Sequence, residues 1–172
     1  MPLGQLSGTP EWVASMFTSE TALLVLLGIS VLEGTMLLRF MPSELVVPSA
    51  LALVGSSTPE VVAIVSIAVV GTTVGQTALF VLARRGGREY LLQTGWIPIN
   101  GGRLDRVDGW FDTWGQLAVP ATNAMPFARG LLTVPAGLSG MRGRRFALLS
   151  AVGSLCFQSV LALVYLVAGE VV

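Results

Sequence analysis

Two runs of this chain are longer and more uniformly apolar than a soluble fold requires. From Val61 to Ala83, and again from Phe146 to Gly169, there is neither a formal charge nor a proline. A bilayer core is about 30 Å thick and takes roughly 20 consecutive apolar helical residues. Each run meets that length, so each is predicted to cross a membrane as one helix. Composition agrees. Of the 172 residues, 53% are hydrophobic and 12% are charged, and mean hydropathy is +0.75. A soluble domain carries about 25% charged residues. This excludes a soluble globular protein, a disordered chain and a basic nucleic-acid binder. Ten basic residues balance ten acidic ones, so no net field steers a polyanion.

Two further apolar stretches are interrupted. Thr21 to Gly55 contains Glu33, Arg39, Pro42, Glu44 and Pro48, and Gln116 to Met141 contains Pro120, Pro126, Arg129 and Pro135. Proline within a helix removes a hydrogen bond and kinks the chain. Broken backbone at membrane depth survives only inside protein or against a wet cavity. Both stretches are therefore predicted to be re-entrant hairpins or discontinuous helices. Charge placement supports this. Arg84, Arg85 and Arg88 follow the first clean span, and Arg142, Arg144 and Arg145 precede the second. Basic loops stay in the cytoplasm, so the chain between the spans must leave and return on one side. It holds only one long apolar stretch, Gln116 to Met141, which must then be a hairpin.

Between these elements, Leu104, Val107, Phe111 and Trp114 share one helical face, as in an amphipathic helix at the membrane surface, about residues 103–115. Trp12, Trp96, Trp110 and Trp114 all lie outside the clean spans, where interfacial anchors belong. No basic segment precedes the first apolar run, so it does not read as a secretory signal.

A shift of 87 positions lays Val47-Pro48 on Val134-Pro135, Leu51 on Leu138 and one clean span on the other. Because the spans run in opposite directions, these halves form an inverted-topology repeat, about 20–88 and 116–170, a transporter architecture. The expectation is an all-α membrane protein, a single polytopic domain of two broken re-entrant helical hairpins and two full transmembrane helices.

The chemistry available is narrow. There is no histidine, and Cys156 is the one cysteine. No metal site, disulfide or histidine-based catalysis is expected, and no cofactor. Gly137-Leu138-Ser139-Gly140 matches the nucleophile motif of rhomboid proteases, but the histidine base that chemistry needs is absent. Cys156 reads as packing, and Gly71-xxx-Gly75 as a close helix contact. The chain is not expected to be an enzyme. Charges inside membrane segments cost about 2.5 to 3.5 kcal/mol each on insertion scales and persist by pairing or by function. Glu33, Glu44 and Arg129 lie deepest. One reading is that a glutamate simply neutralises Arg129. The other gives Arg129 a phosphate or carboxylate, which its planar fork fits, and gives the glutamates protons, because burial favours a neutral carboxyl.

Glu33 followed by Pro42-Ser43-Glu44-Leu45-Val46-Val47-Pro48 resembles the first motif of the DedA family, also called the VTT or SNARE-associated domain. Gly71-xxx-Gly75 with Phe80 and Arg84, then Trp110-Phe111-xxx-Gly115, resemble its next two motifs. Pro126-x-x-Arg129-xxxxx-Pro135-Ala136-Gly137-xxx-Met141-xxxx-Phe146 resembles its signature, and Gly153, Phe157, Tyr165 and Gly169 its last motif. The chain departs from the pattern at Asn123, where the family often has a second arginine, at Phe127 in place of a glycine, and at Gln76, where an acid is common. The gap from Glu33 to Pro42 is longer than usual, and many members continue past Gly169 into one more span.

The resemblance implies a multi-pass protein of the prokaryotic plasma membrane, with membrane lipids as partners and no nucleic acid. It implies transport of an anionic lipid phosphate, with polyprenyl phosphate recycling and proton coupling as the specific form. An uncoupled phospholipid scramblase and a non-transporting assembly or lipid-organisation factor are the alternatives. A homo-oligomer is compatible with the reading. Arg129, helped by Asn123, is expected to bind the phosphate. Glu33 and Glu44 are expected to share that site, compete for Arg129 and carry protons.

Overall fold

The computed structural model describes residues 19–37, 43–55, 57–93, 113–126 and 128–171. Arg39, Trp12, Trp96, Trp110 and nearly all of the amphipathic segment expected at 103–115 lie outside the described residues. Among the described residues all regular structure is helical: α1 (Ser19–Gly34), α2 (Val46–Val54), α3 (Thr58–Gln93), α4 (Ala118–Asn123), α5 (Thr133–Leu138) and α6 (Gly143–Val171), with single 3-10 turns at Ser43–Leu45 and Gly115–Leu117. Among the described residues, α3 and α6 are the two helices long and apolar enough to cross a membrane, over Thr58–Gly87 and Gly143–Gly169. Both extend the runs expected from the sequence outward into their flanking polar residues.

Local chemistry sets the helix ends. The Glu60 carboxylate accepts from the backbone N–H (2.9 Å) and the hydroxyl (2.7 Å) of Ser57, the glutamate half of a capping box at the start of α3. α3 breaks at Gly87, whose φ is 71°. At the end of α1, Leu37 N–H reaches the carbonyl of Leu32 and Met36 N–H that of Glu33, a Schellman closure. Met36 holds the left-handed position, φ 60°, which is usually given to glycine and costs an ordinary side chain about 1 kcal/mol. The expectation that proline breaks helices needs correction. Pro48, Pro120 and Pro135 each occupy the third position of α2, α4 and α5. The first N–H groups of a helix have no intrahelical acceptor, so there proline removes no bond and starts a helix.

α3 and α6 run antiparallel. Ile64 and Val65 near the start of α3 share a cluster with Ala162 near the end of α6. At the other end Phe80 stacks on Phe146, with ring centroids 4.5 Å apart, and Arg84 Nη1 donates to the carbonyl of Met141 at 3.1 Å. The two arginine groups thus lie at one end of the pair, as the charge argument requires. Ala118, Val119 and Met141 all belong to the Phe80–Phe146 cluster, so residues 118–141 begin and finish at that end. α1 and α2 contribute Leu26, Val46, Val47, Ala50 and Leu51 to the opposite cluster. α1 lies against α3 because Gly71 and Gly75 have no side chains. A Cβ at Gly71 would stand 2.6 Å from Ser30 Cβ, and one at Gly75 would stand 2.9 Å from Gly34 Cα. This bears out the close-contact reading of that pair. Gly137 serves α5 in the same way, since a Cβ there would meet the Phe80 carbonyl at 2.7 Å.

The polarity is inside out. Val62, Val70 and Val74 on α3, and Leu148, Val152, Val160, Leu163 and Val167 on α6, are exposed, while Thr72, Gln76, Ser150, Ser154 and Gln158 are buried. Such an aliphatic exterior is a liability in water and the ordinary surface of a helix in lipid. Cys156 is also exposed on this outer face, which the reading of it as packing did not anticipate.

Candidate functional site

The interrupted segments meet halfway along the α3–α6 pair. The loop between α4 and α5 carries Arg129, and the last turn of α1 carries Glu33. Arg129 Nη1 donates to Glu33 Oε1 at 2.8 Å, with the side chains 6% and 10% exposed. The guanidinium lies over the Phe157 ring, 4.6 Å from its centroid, within cation–π range. The Gln158 carboxamide satisfies its neighbours when its oxygen faces Arg129, accepting from Nη1 (3.1 Å) and Nη2 (2.9 Å). Such amide orientations are assigned from the hydrogen-bond network. Among the described residues, Arg129 Nε and Glu33 Oε2 are buried without hydrogen-bond partners. The pair is therefore joined through one carboxylate oxygen, with a donor and an acceptor left over.

Glu44, half-buried in the 3-10 turn before α2, acts electrostatically on both Glu33 and Arg129. Of the two glutamates it is Glu33 that forms the ion pair among the described residues. Asn123 is 2% exposed at the end of α4, and its carboxamide is occupied by protein. Its Oδ1 accepts from Gln76 Nε2 (3.1 Å) and from Gly130 N–H (3.0 Å), and its Nδ2 donates to Gln76 Oε1 (2.9 Å). The Ser150 hydroxyl also donates to Gln76 Oε1. Of the sequence-predicted site residues, Arg129 is thus paired with Glu33, whereas Asn123 is paired with Gln76, which the sequence reading had not placed in the site.

A buried polar layer continues from the Gln76–Ser150 contact. Thr72 stands one turn before Gln76 on α3, and Ser154 one turn after Ser150 on α6. With Gln76 bonded to Ser150 and the helices antiparallel, that spacing brings Thr72 and Ser154 to one level. Their hydroxyls and that of Ser30 are buried without partners among the described residues. Sequence reasoning passed over Ser150, Ser154 and Gln158 because their span carries no charge. The available signal was their spacing of four, repeated at Thr72 and Gln76, which lines one helical face with polar atoms in an otherwise aliphatic segment.

The VTT domain family profile matches residues 35–169. Undecaprenyl phosphate transporter A of Bacillus subtilis (strain 168) is 26% identical over 116 residues, 67% of this chain and 59% of the relative. The Staphylococcus aureus protein of the same name is 26% identical over 149 residues, 84% of this chain and 72% of the relative. The uncharacterized membrane protein YkoX of Bacillus subtilis is 27% identical over 119 residues, 69% and 54% of the respective chains. The chain thus spans 59% of the length of the first of these relatives. No solved structure matches it.

Proposed function

The chain belongs to the VTT domain family, and from that premise we propose that it is a membrane transporter moving a lipid phosphate of the polyprenyl type between leaflets of the prokaryotic plasma membrane. The observation that carries this reading is the half-satisfied pair of Arg129 and Glu33 at the centre of the fold. A buried ion pair gains little stability unless its remaining hydrogen bonds are filled. A phosphate monoester offers several oxygens to a planar guanidinium, where one carboxylate oxygen now sits. In this reading Arg129 exchanges Glu33 for the phosphate. Glu44 stands by as a second carboxylate, and the released glutamate takes up a proton rather than remain charged in a dry interior. The two relatives named as undecaprenyl phosphate transporters support the choice of substrate.

The proposal includes two re-entrant hairpins and an inverted repeat, about 20–88 and 116–170. Supporting it, α1 packs on α3 while α2 touches both α3 and α6, and α4 packs on α6 while α5 packs on α3. The isoprenoid tail stays in lipid, so no large enclosed pocket is needed. In reconstituted vesicles the protein should move a short-chain polyprenyl phosphate and leave phosphatidylcholine in place, and an imposed pH gradient should change the rate. Equal movement of both lipids makes it a scramblase. Movement of neither leaves the assembly or lipid-organisation role. A rate indifferent to pH removes the proton.

A further inference from the structure

The buried amides of Gln76 and Asn123 form a closed reciprocal pair, each donating to the other at 3.1 and 2.9 Å. They are 1% and 2% exposed. Asn123 uses the second lone pair of its oxygen on the N–H of Gly130 at 3.0 Å. That N–H belongs to the peptide bond leaving Arg129. Gly130 itself has φ 77°, a conformation that glycine adopts without strain. One carboxamide thus ties the last residue of α4 to the backbone beside Arg129 and closes the intervening loop.

The tie is braced from two sides. On α3, Gln76 also accepts from the Ser150 hydroxyl of α6, so the loop is referred to both spanning helices. On α6, Gly153 leaves the space Asn123 fills, since a Cβ there would stand 2.7 Å from Asn123 Cβ. All of this lies on the backbone side of Arg129, whereas Glu33, Phe157 and Gln158 hold the guanidinium.

We infer that Gln76 and Asn123 are positioning residues, an uncharged clasp that fixes the backbone at Arg129 so that its guanidinium keeps its place when Glu33 lets go. Asn123 therefore acts through Arg129 rather than on the phosphate, as the sequence reading had it. The part concerning phosphate rests on the proposed transport function; the clasp itself does not. A neutral pair suits this task. It supplies directional bonds in a dry interior without the desolvation cost of an ion pair, and it adds no second charge to compete with the exchange at Arg129.

The test reads the coupling between Glu33 and Arg129 through thermal stability of the full chain. Glu33→Gln, Arg129→Met and the double variant are compared in the native background and in Asn123→Leu. In the native background the two substitutions should be strongly coupled, because removing either partner strands the other. In Asn123→Leu the coupling should fall by at least about half, since a displaced arginine no longer meets Glu33 squarely. An undiminished coupling overturns the clasp. If Asn123→Leu does not fold, Gln76→Met serves. It keeps the bond to Gly130 and should give a smaller loss of coupling, and an unchanged value overturns the inference equally. Binding of farnesyl phosphate supplies the second readout. Asn123→Leu should weaken it by about tenfold, the effect of one misaligned hydrogen bond to a charged group. The same substitution should have no further effect in Arg129→Met. Absence of binding by the native protein would remove the substrate reading, and the stability cycle would still judge the clasp.

Discussion

Arg84 donates through Nη1 to the main-chain carbonyl of Met141 at 3.1 Å, which fastens the arginine-bearing end of α3 to the residue just before Arg142 and α6. With basic residues on both sides of this contact, one membrane face should receive both loops. Cysteines placed at Arg85 and Arg142 in a Cys156→Ala background should behave alike toward an impermeant reagent. Both should be protected in intact cells and both labelled in inverted vesicles. The background change should cost under about 0.5 kcal/mol, because Cys156 faces outward. Opposite labelling of the two sites would separate the arginine groups and undo the proposed hairpin.

Glu33→Gln should be the more damaging glutamate change for stability. The sequence alone leaves Glu33 and Glu44 competing for Arg129, whereas the fold puts Glu33 on the arginine at 2.8 Å. Removing one partner of a buried pair costs about 3–5 kcal/mol, since the other charge is left uncompensated. Thermal melts of Glu33→Gln, Glu44→Gln and Glu33→Gln/Arg129→Met should rank the single Glu33 variant lowest, with the double variant partly recovered. A Glu33→Gln melt equal to the native one would mean that Arg129 is satisfied elsewhere.

Arg129→Lys separates charge from geometry. Lysine keeps the pairing with Glu33 but loses the planar fork and much of the stacking on Phe157. The variant should fold, with a loss of about 1 kcal/mol, and should bind farnesyl phosphate at least about tenfold more weakly. Native affinity in Arg129→Lys would reduce Arg129 to a structural counter-ion.

Gly75→Leu should pry α1 from α3. A Cβ at this position already meets the carbonyl of Val31 and comes within 2.9 Å of Gly34 Cα, and neither is a flexible side-chain end. Overpacking of this kind costs about 1–3 kcal/mol, and here it also moves the helix that carries Glu33. The signature is a lowered melting temperature together with weakened coupling between Glu33 and Arg129. Ala78→Leu, at an exposed site on the same helix, should change neither.

The spans, the shared end of the arginine groups and the interrupted character of the two remaining stretches were legible in the sequence, because each follows from a local rule. A run without charge or proline is long enough for a bilayer or it is not, and clustered arginines resist translocation. The glycines at 71 and 75 were legible for a similar reason, since a spacing of four places them on one helical face. The role of Pro48, Pro120 and Pro135 was misread. A proline looks the same in sequence whether it breaks a helix or begins one, and only the position of the first turn tells the two apart.

What the sequence determined by itself is that this chain is helical, that it lives in lipid, and that Arg129, Glu33 and Glu44 are charges within apolar stretches and in need of a reason. Which glutamate meets the arginine was decided only by the tertiary structure. Residues separated by 96 positions came within 2.8 Å because α1 and the α4–α5 loop approach from opposite ends of the α3–α6 pair. The same holds for Gln76 and Asn123, 47 positions apart. Hydrogen bonds reach about 3 Å and depend on angle, so no spacing along the chain encodes such a partnership. It exists only once the helices have packed and removed the water that would otherwise have satisfied each amide alone.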